Sequence, residues 1–190
     1  MTITTAILLA LDGAIIVGTI LIISAILRVR DVPPTIATRE AIRALIAKAY
    51  GALPSGSVFY DLGSGVGDMV IAMAKEHPNV RCVGIEKYLI PLWIARFRAW
   101  RKGLRNAFFI QGDIFDKEAY RDATHLYTYL YPETMGKLVP KLEGKELVVY
   151  SLDFLFPNHT PVTTTLLPNP EKKLGSTLYR YEFHRDAPVV

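Results

Sequence analysis

The sequence predicts an α/β fold, a mostly parallel sheet with helices on both faces, closed by a C-terminal antiparallel hairpin and preceded by one apolar N-terminal helix. Three observations carry this expectation. Short apolar strand patterns alternate with helical ones over residues 39–151, an order that folds as a parallel sheet with crossover helices. Two strand-like runs then follow, 163–167 and 177–183, separated by the turn-rich Pro168-Asn169-Pro170 and Leu174-Gly175-Ser176 with no helix of useful length. Finally, up to Leu27 the only charged side chain is Asp12, while all 22 Lys+Arg lie beyond it.

The 190 residues, 51% hydrophobic, suffice for one domain with a sizeable core but not for two. The spread of Val, Ile, Leu and aromatics excludes disorder for most of the chain. The single cysteine, Cys82, excludes a disulfide framework and a multi-cysteine metal site. Its neighbours Val83, Gly84 and Ile85 offer no base, so it reads as a small buried hydrophobe.

Residues 3–27, 25 in number, would measure roughly 37 Å as a helix at about 1.5 Å per residue. That spans a hydrocarbon core of roughly 30 Å. The start Met1-Thr2-Ile3-Thr4-Thr5 lacks the positive region of a cleaved signal, and the apolar stretch is longer than such signals use, so an uncleaved anchor is expected over residues 1–30. Arg28 and Arg30 follow the span and no basic residue precedes it. The positive-inside rule then predicts a single-pass protein with residues 31–190 on the cytoplasmic side. Asp12 falls near the outer end, where a carboxylate is tolerated.

Asp31-Val32-Pro33-Pro34-Thr35 is a stiff linker, because two prolines fix φ and disfavour helix before them. Ile42, Leu45, Ile46 and Ala49 make one stripe of a helix over residues 39–50. After the turn Leu53-Pro54-Ser55-Gly56-Ser57 comes a strand at 58–62, a glycine-rich turn and a helix at 69–76 stopped by His77-Pro78. A buried strand at 82–86, a helix at 89–102 closed by Gly103, and a strand beginning at Phe108-Phe109-Ile110 follow. The alternation ends with a strand at 125–131, a helix at 133–142 and a strand at 147–151.

Tyr60-Asp61-Leu62-Gly63-Ser64-Gly65-Val66-Gly67 sets three glycines at alternate positions directly after the first strand. Glycine is needed where backbone turns sharply and approaches a ligand closely. The spacing departs from the Gly-x-Gly-x-x-Gly of dinucleotide binders, whose helix N-terminus receives a pyrophosphate. S-adenosyl-L-methionine carries no phosphate and instead needs a carboxylate near its ammonium, a role open to Asp61. Glu86, at the end of the second strand, can accept from both ribose hydroxyls. After the third strand Asp113 can accept from the adenine amino group, with Ile114 or Phe115 against the ring. Three acids at three successive strand ends make a joint signal that none makes alone. The expected cofactor contacts are Asp61, Gly63, Ser64, Gly65, Gly67, Glu86, Asp113 and Ile114.

These residues resemble a class I, seven-strand, Rossmann-like methyltransferase. Val32-Pro33-Pro34-Thr35, Tyr60-Asp61-Leu62-Gly63-Ser64-Gly65, Val83-Gly84-Ile85-Glu86, Leu130-Tyr131-Pro132-Glu133, Pro140-Lys141-Leu142 and Ser151-Leu152-Asp153-Phe154 together resemble one membrane-anchored lineage. It comprises the mitochondrial lysine methyltransferases of the ATP synthase c subunit and the adenine nucleotide translocase, with bacterial and archaeal relatives. The resemblance implies S-adenosyl-L-methionine as cofactor and a lysine of a membrane-associated protein as acceptor. It also implies that Tyr129 and Asp153 orient the incoming amine. The lineage usually has an acid and, two residues on, an arginine after the second loop glycine, where this chain has Val66 and Asp68. Acceptors of other kinds, such as a lipid head-group amine, and an idle cofactor-binding protein remain open at this point.

Methyl transfer needs a neutral nucleophile, and a free lysine with a pKa of about 10.4 is almost wholly protonated at neutral pH. A desolvated slot near a cation lowers that pKa. Tyr127, Tyr129 and Tyr131 share one face of the fourth strand and are candidates to line such a slot. His77, His125, His159 and His184 lack metal-ligand spacing, so no metal is expected. The 89–102 helix carries Trp93, Phe97 and Trp100 beside Arg96, Arg98, Arg101 and Lys102, and reads as an apolar core face opposite a solvated or lipid-facing basic one. The small basic excess, with no stacking module evident, does not point to nucleic acid.

Overall fold

The computed structural model describes residues 12, 15–19, 40–168 and 177–184. The chain divides into two units, Met1–Pro34 and Thr35–Val190. In the first, residues 15–19 are helical, and the Thr19 hydroxyl donates to the Ile15 carbonyl at 2.8 Å. Most of the anchor expected over 3–27 lies outside the described residues. Among the described residues, no helix is long and apolar enough to cross a membrane.

In the second unit the sequence alternation becomes β1 (Val58–Leu62), β2 (Arg81–Glu86), β3 (Ala107–Gln111), β4 (His125–Thr128), β5 (Leu147–Leu152), β6 (Thr163–Leu166) and β7 (Thr177–Phe183). They form one sheet in the order β3-β2-β1-β4-β5-β7-β6. The five strands β1 to β5 pair in parallel, and β7 joins β5 and β6 antiparallel, as the sequence predicts. Helices α1 (Glu40–Ala49), α2 (Asp68–Glu76), α3 (Leu89–Arg101) and α4 (Pro132–Leu142) connect and cover it, with a short 3-10 turn at Lys117–Tyr120 that periodicity does not separate from loop.

Strand periodicity sorts the core into two layers. Phe59, Cys82, Phe109, Tyr127 and Tyr150 point to the layer that holds Ile42 and Ile46 of α1, Met69 and Met73 of α2, and Leu92 and Ala95 of α3. Leu62, Val83, Ile85, Leu126 and Val149 point to the other, which holds Met135, Leu138 and Leu142 of α4. Cys82 is fully buried, and burial pushes its thiol up to about 12, as expected of a hydrophobic filler.

Two expectations are corrected. The fourth strand ends at Thr128 rather than at residue 131, because its last pairings are Leu62 on β1 and Ser151 on β5. Pro132 is the first residue of α4, and Tyr131 is its extended N-cap at φ −61°, ψ 153°. Residues 129–131 therefore lead away from the sheet. The second correction concerns α3, whose buried face is Leu92, Ala95 and Ala99, while Trp93, Phe97 and Trp100 are exposed. Close packing selects the small residues. A Cβ added to Gly67 would lie 2.9 Å from the Ala95 Cβ, leaving no room there for an aromatic ring.

Candidate active site

The chain runs outward from β1 through β2 to β3 and then returns to β4 on the other side of β1. The sheet order thus reverses between β1 and β4, and the carboxyl ends of strands flanking such a reversal form a ligand crevice. Asp61 and the glycine loop lie on one side of it, with Glu86 and Asp113 after the next two strands. Tyr129 and Asp153 follow the ends of β4 and β5 on the other side.

The loop after β1 takes its shape from its glycines. Gly63, Gly65 and Gly67 have φ of +83°, +52° and +80°, the left-handed region that side chains with a Cβ rarely adopt. The Gly63 and Ser64 amides both donate to the Ile85 carbonyl at 2.9 Å, tying the loop to β2. Gly67 is also a contact point, since an added Cβ would meet the Phe109 ring at 2.6 Å. Gly67→Ala is expected to cost about 1–3 kcal/mol through strain and overpacking together. The Tm should fall by about 2–4 °C per kcal/mol in a domain of this size; an unchanged melting curve would show that the loop tolerates another shape.

Asp61 is 5% exposed, and its carboxyl is pushed up to about 8, first by burial and then by the negative charges of Glu86 and Asp68. It is therefore largely protonated at neutral pH and gains from any cation that comes alongside. Glu86 is also buried and has both oxygens engaged: Oε2 accepts from the Gly65 amide at 2.9 Å and Oε1 from the Tyr88 amide at 2.8 Å. Its carboxylate thus braces the glycine loop as well as ending β2. Asp113 is exposed, and its Oδ1 accepts from the Phe115 amide at 2.9 Å, while Ile114 packs on the α4-side layer. Ser64 Oγ is buried with no hydrogen-bond partner and packs over Gly84 of β2, whose missing Cβ makes room for it.

Across the crevice the Tyr129 phenol stands within the electrostatic reach of the Asp153 carboxylate. Burial first, and that carboxylate second, push the phenol up to about 12. Asp153 stands at φ +60°, unusual for a residue with a Cβ, and the Phe154 amide closes a tight turn onto the Leu152 carbonyl at 2.8 Å. Two bonds to β7 hold it there: its amide donates to the Thr177 carbonyl at 2.7 Å, and its Oδ1 accepts from the Thr177 amide at 3.1 Å. Phe154 stacks on Tyr129 with centroids 6.0 Å apart and lies tilted against Tyr131 at 6.0 Å. Tyr127, by contrast, is 4% exposed in the α1-side layer and belongs to the core.

The sequence model of the ANTKMT methyltransferase domain matches residues 61–163, more than half of the chain, from the acid of the glycine loop to the first strand of the hairpin. The chain belongs to the ANTKMT methyltransferase domain family. Among curated relatives, the mouse lysine N-methyltransferase of the ATP synthase c subunit is 35% identical over 111 residues, which is 55% of this chain and 43% of that protein. The human protein of the same name is 34% identical over 105 residues, 53% of this chain and 44% of that protein. The matched part spans less than half the length of these relatives. A solved RNA methyltransferase from Salinibacter ruber, in complex with S-adenosyl-L-homocysteine, is 32% identical with a TM-score of 0.67, covering 76% of this chain and 92% of that one.

Membership of the ANTKMT methyltransferase domain family makes S-adenosyl-L-methionine the cofactor to test against the residues, and they fit it. The left-handed glycines and the buried acid Asp61 form a cradle suited to an ammonium and a carboxylate rather than to a pyrophosphate. The departure at Val66 and Asp68 has a structural answer that spacing alone does not disclose. Arg98 of α3 donates from Nη1 to the Val66 carbonyl and from Nη2 to Asp68 Oδ1, both at 2.7 Å, and Arg43 of α1 lies 3.7 Å from the same oxygen. The guanidinium reaches this ANTKMT-family loop from neighbouring helices. The one sequence clue is Asp68 itself, an acid at a helix start that calls for a cation. Among the described residues, no group of three or more His, Cys, Asp or Glu is arranged to hold a metal ion.

Proposed function

We propose that this chain is a membrane-anchored, S-adenosyl-L-methionine-dependent methyltransferase that modifies a lysine amine of a membrane-associated protein. The carrying observation is the Tyr129–Asp153 pair, an electrostatically coupled phenol and carboxylate walled by Phe154, across the strand reversal from the glycine loop. The names of the mouse and human relatives favour lysine as acceptor. The apolar stretch 3–27 followed by Arg28 and Arg30 supports a single-pass anchor over 1–30, with the domain at 31–190 on the cytoplasmic face.

When bound, S-adenosyl-L-methionine supplies an electrophilic methyl group. The protein's task is then to position an amine and relieve it of a proton. Asp61 would face the donor's ammonium, and Glu86, Asp113 and Ile114 would hold its nucleoside. The Tyr129 hydroxyl, kept protonated by burial and by the neighbouring Asp153 carboxylate, would offer its oxygen lone pairs to an incoming N–H. The Asp153 carboxylate would accept a second N–H and so fix the orientation of the amine. The aromatic walls of Tyr129, Tyr131 and Phe154 would draw an alkylammonium to the entrance, exclusion of water deeper in the slot would favour its neutral form, and the Asp153 carboxylate would take the proton released.

The test is to incubate the full chain with methyl-labelled S-adenosyl-L-methionine and membranes from cells lacking it, then separate protein, lipid and RNA. Label on lysine of a membrane protein is expected. Label confined to lipid head groups, or to RNA as the name of the Salinibacter ruber relative would suggest for that protein, replaces the acceptor. Cofactor binding without label in any fraction indicates an idle binder.

A further inference from the structure

Helix α3 leaves Leu89, Ile90, Trp93, Ile94, Phe97 and Trp100 between 43% and 74% exposed. Phe97 and Trp100 lie against each other at 5.8 Å, and the Arg101 guanidinium sits over Phe97 at 5.9 Å. Six large apolar side chains on one helix form a contiguous patch of a kind that soluble surfaces avoid. The charge around it has one sign: residues 87–112 include Lys87, Arg101, Lys102 and Arg105, all exposed, and contain no Asp or Glu. Arg96 is exposed as well but donates to the Phe109 carbonyl, and the half-buried Arg98 reaches the glycine loop.

We propose that α3 lies on an anionic lipid surface, its aromatic and aliphatic side chains in the head-group boundary and its exposed cations on lipid phosphates. Trp and Phe beside aliphatics, ringed by Lys and Arg, is the composition of helices that lie in that plane. Charge complementarity favours lipid over a second copy of the chain, whose α3 would bring the same positive charge. The aliphatic part, Leu89, Ile90 and Ile94, has no use against a polyanionic strand, which disfavours RNA. Because Arg98 on the opposite face of α3 grips Val66 and Asp68, the seated helix would carry the glycine loop close to the bilayer. The proposal is independent of the acceptor named above.

Trp93 and Trp100 are the chain's two tryptophans, so intrinsic emission reports this face whatever the N-terminal segment does. The full chain is reconstituted into vesicles of phosphatidylcholine alone or with about 30% phosphatidylglycerol, and probed with brominated lipid and with acrylamide. In the anionic vesicles we expect blue-shifted emission, at least halved by brominated lipid and about twofold less accessible to acrylamide than in neutral vesicles. The triple variant Arg101→Glu, Lys102→Glu, Arg105→Glu should lose at least half of the lipid quenching while keeping its affinity for S-adenosyl-L-homocysteine. The proposal is overturned if brominated lipid fails to quench in anionic vesicles. Emission would then be either solvent-like, or shielded by protein such as the chain's own apolar segment. Quenching equal in the two lipids, or insensitive to the triple variant, overturns it too, as does shielding by added RNA in place of lipid.

Discussion

Asp61→Asn will bind S-adenosyl-L-homocysteine about a hundredfold more weakly than the parent chain and yet unfold at a higher temperature. The first effect follows from losing a charged partner for the ligand's ammonium, an interaction of about 1.5–3 kcal/mol. The second follows from burial: the carboxyl is pushed up to about 8, so folding takes it from water into a place that penalises its charge. The sign is set by proton binding. The folded state binds the Asp61 proton more tightly than the unfolded chain does, so this contribution is fully present below about pH 4 and is lost as pH rises through about 8. At neutral pH the uncharged amide escapes that cost and should recover about 1–3 kcal/mol. Ligand binding draws the other way, because the ammonium favours the ionised carboxylate. Affinity of the parent chain for S-adenosyl-L-homocysteine should therefore strengthen between pH 6 and 7.5, by up to about tenfold per pH unit, with a proton released on binding. Calorimetry in buffers of different ionisation enthalpy, run beside thermal melts, measures both halves. A variant that is less stable, or one that keeps its affinity, would remove Asp61 from the site.

The second large effect belongs to Tyr129→Phe. The ring and its stacking on Phe154 remain while the hydroxyl that joins Asp153 to the amine is lost. We expect kcat to fall about 10- to 100-fold, with affinity for S-adenosyl-L-homocysteine unchanged within about twofold, because the donor's acids lie on the other side of the strand reversal. Losses that appear in donor affinity instead of kcat would make Tyr129 a wall of the donor cradle. An unchanged kcat would return it to packing.

Much of this arrangement is legible in the residue order. Alternating periodicity locates all five parallel strands, and the missing helix after residue 152 announces the antiparallel hairpin. The glycine loop and its acids can be read because backbone constraints are written in residue types: positive φ asks for glycine, and acids after three successive parallel strands converge on one end of the sheet. What stays hidden depends on tertiary partners. A tyrosine run looks like continuing strand until its neighbours stop pairing at Thr128. Trp93, Phe97 and Trp100 look like core until Ala95 and Ala99 prove to be what the sheet accepts. Arg98 is one of several basic residues on its helix, and nothing in its spacing selects it for Val66 and Asp68.

The grip of Thr177 on Asp153 carries a consequence for synthesis. In a nascent polypeptide that has left the ribosome only as far as Asn158, Asp153 lacks both Thr177 partners that hold its unfavoured conformation. The acceptor side of the proposed site is therefore expected to mature only once β7 has joined β5.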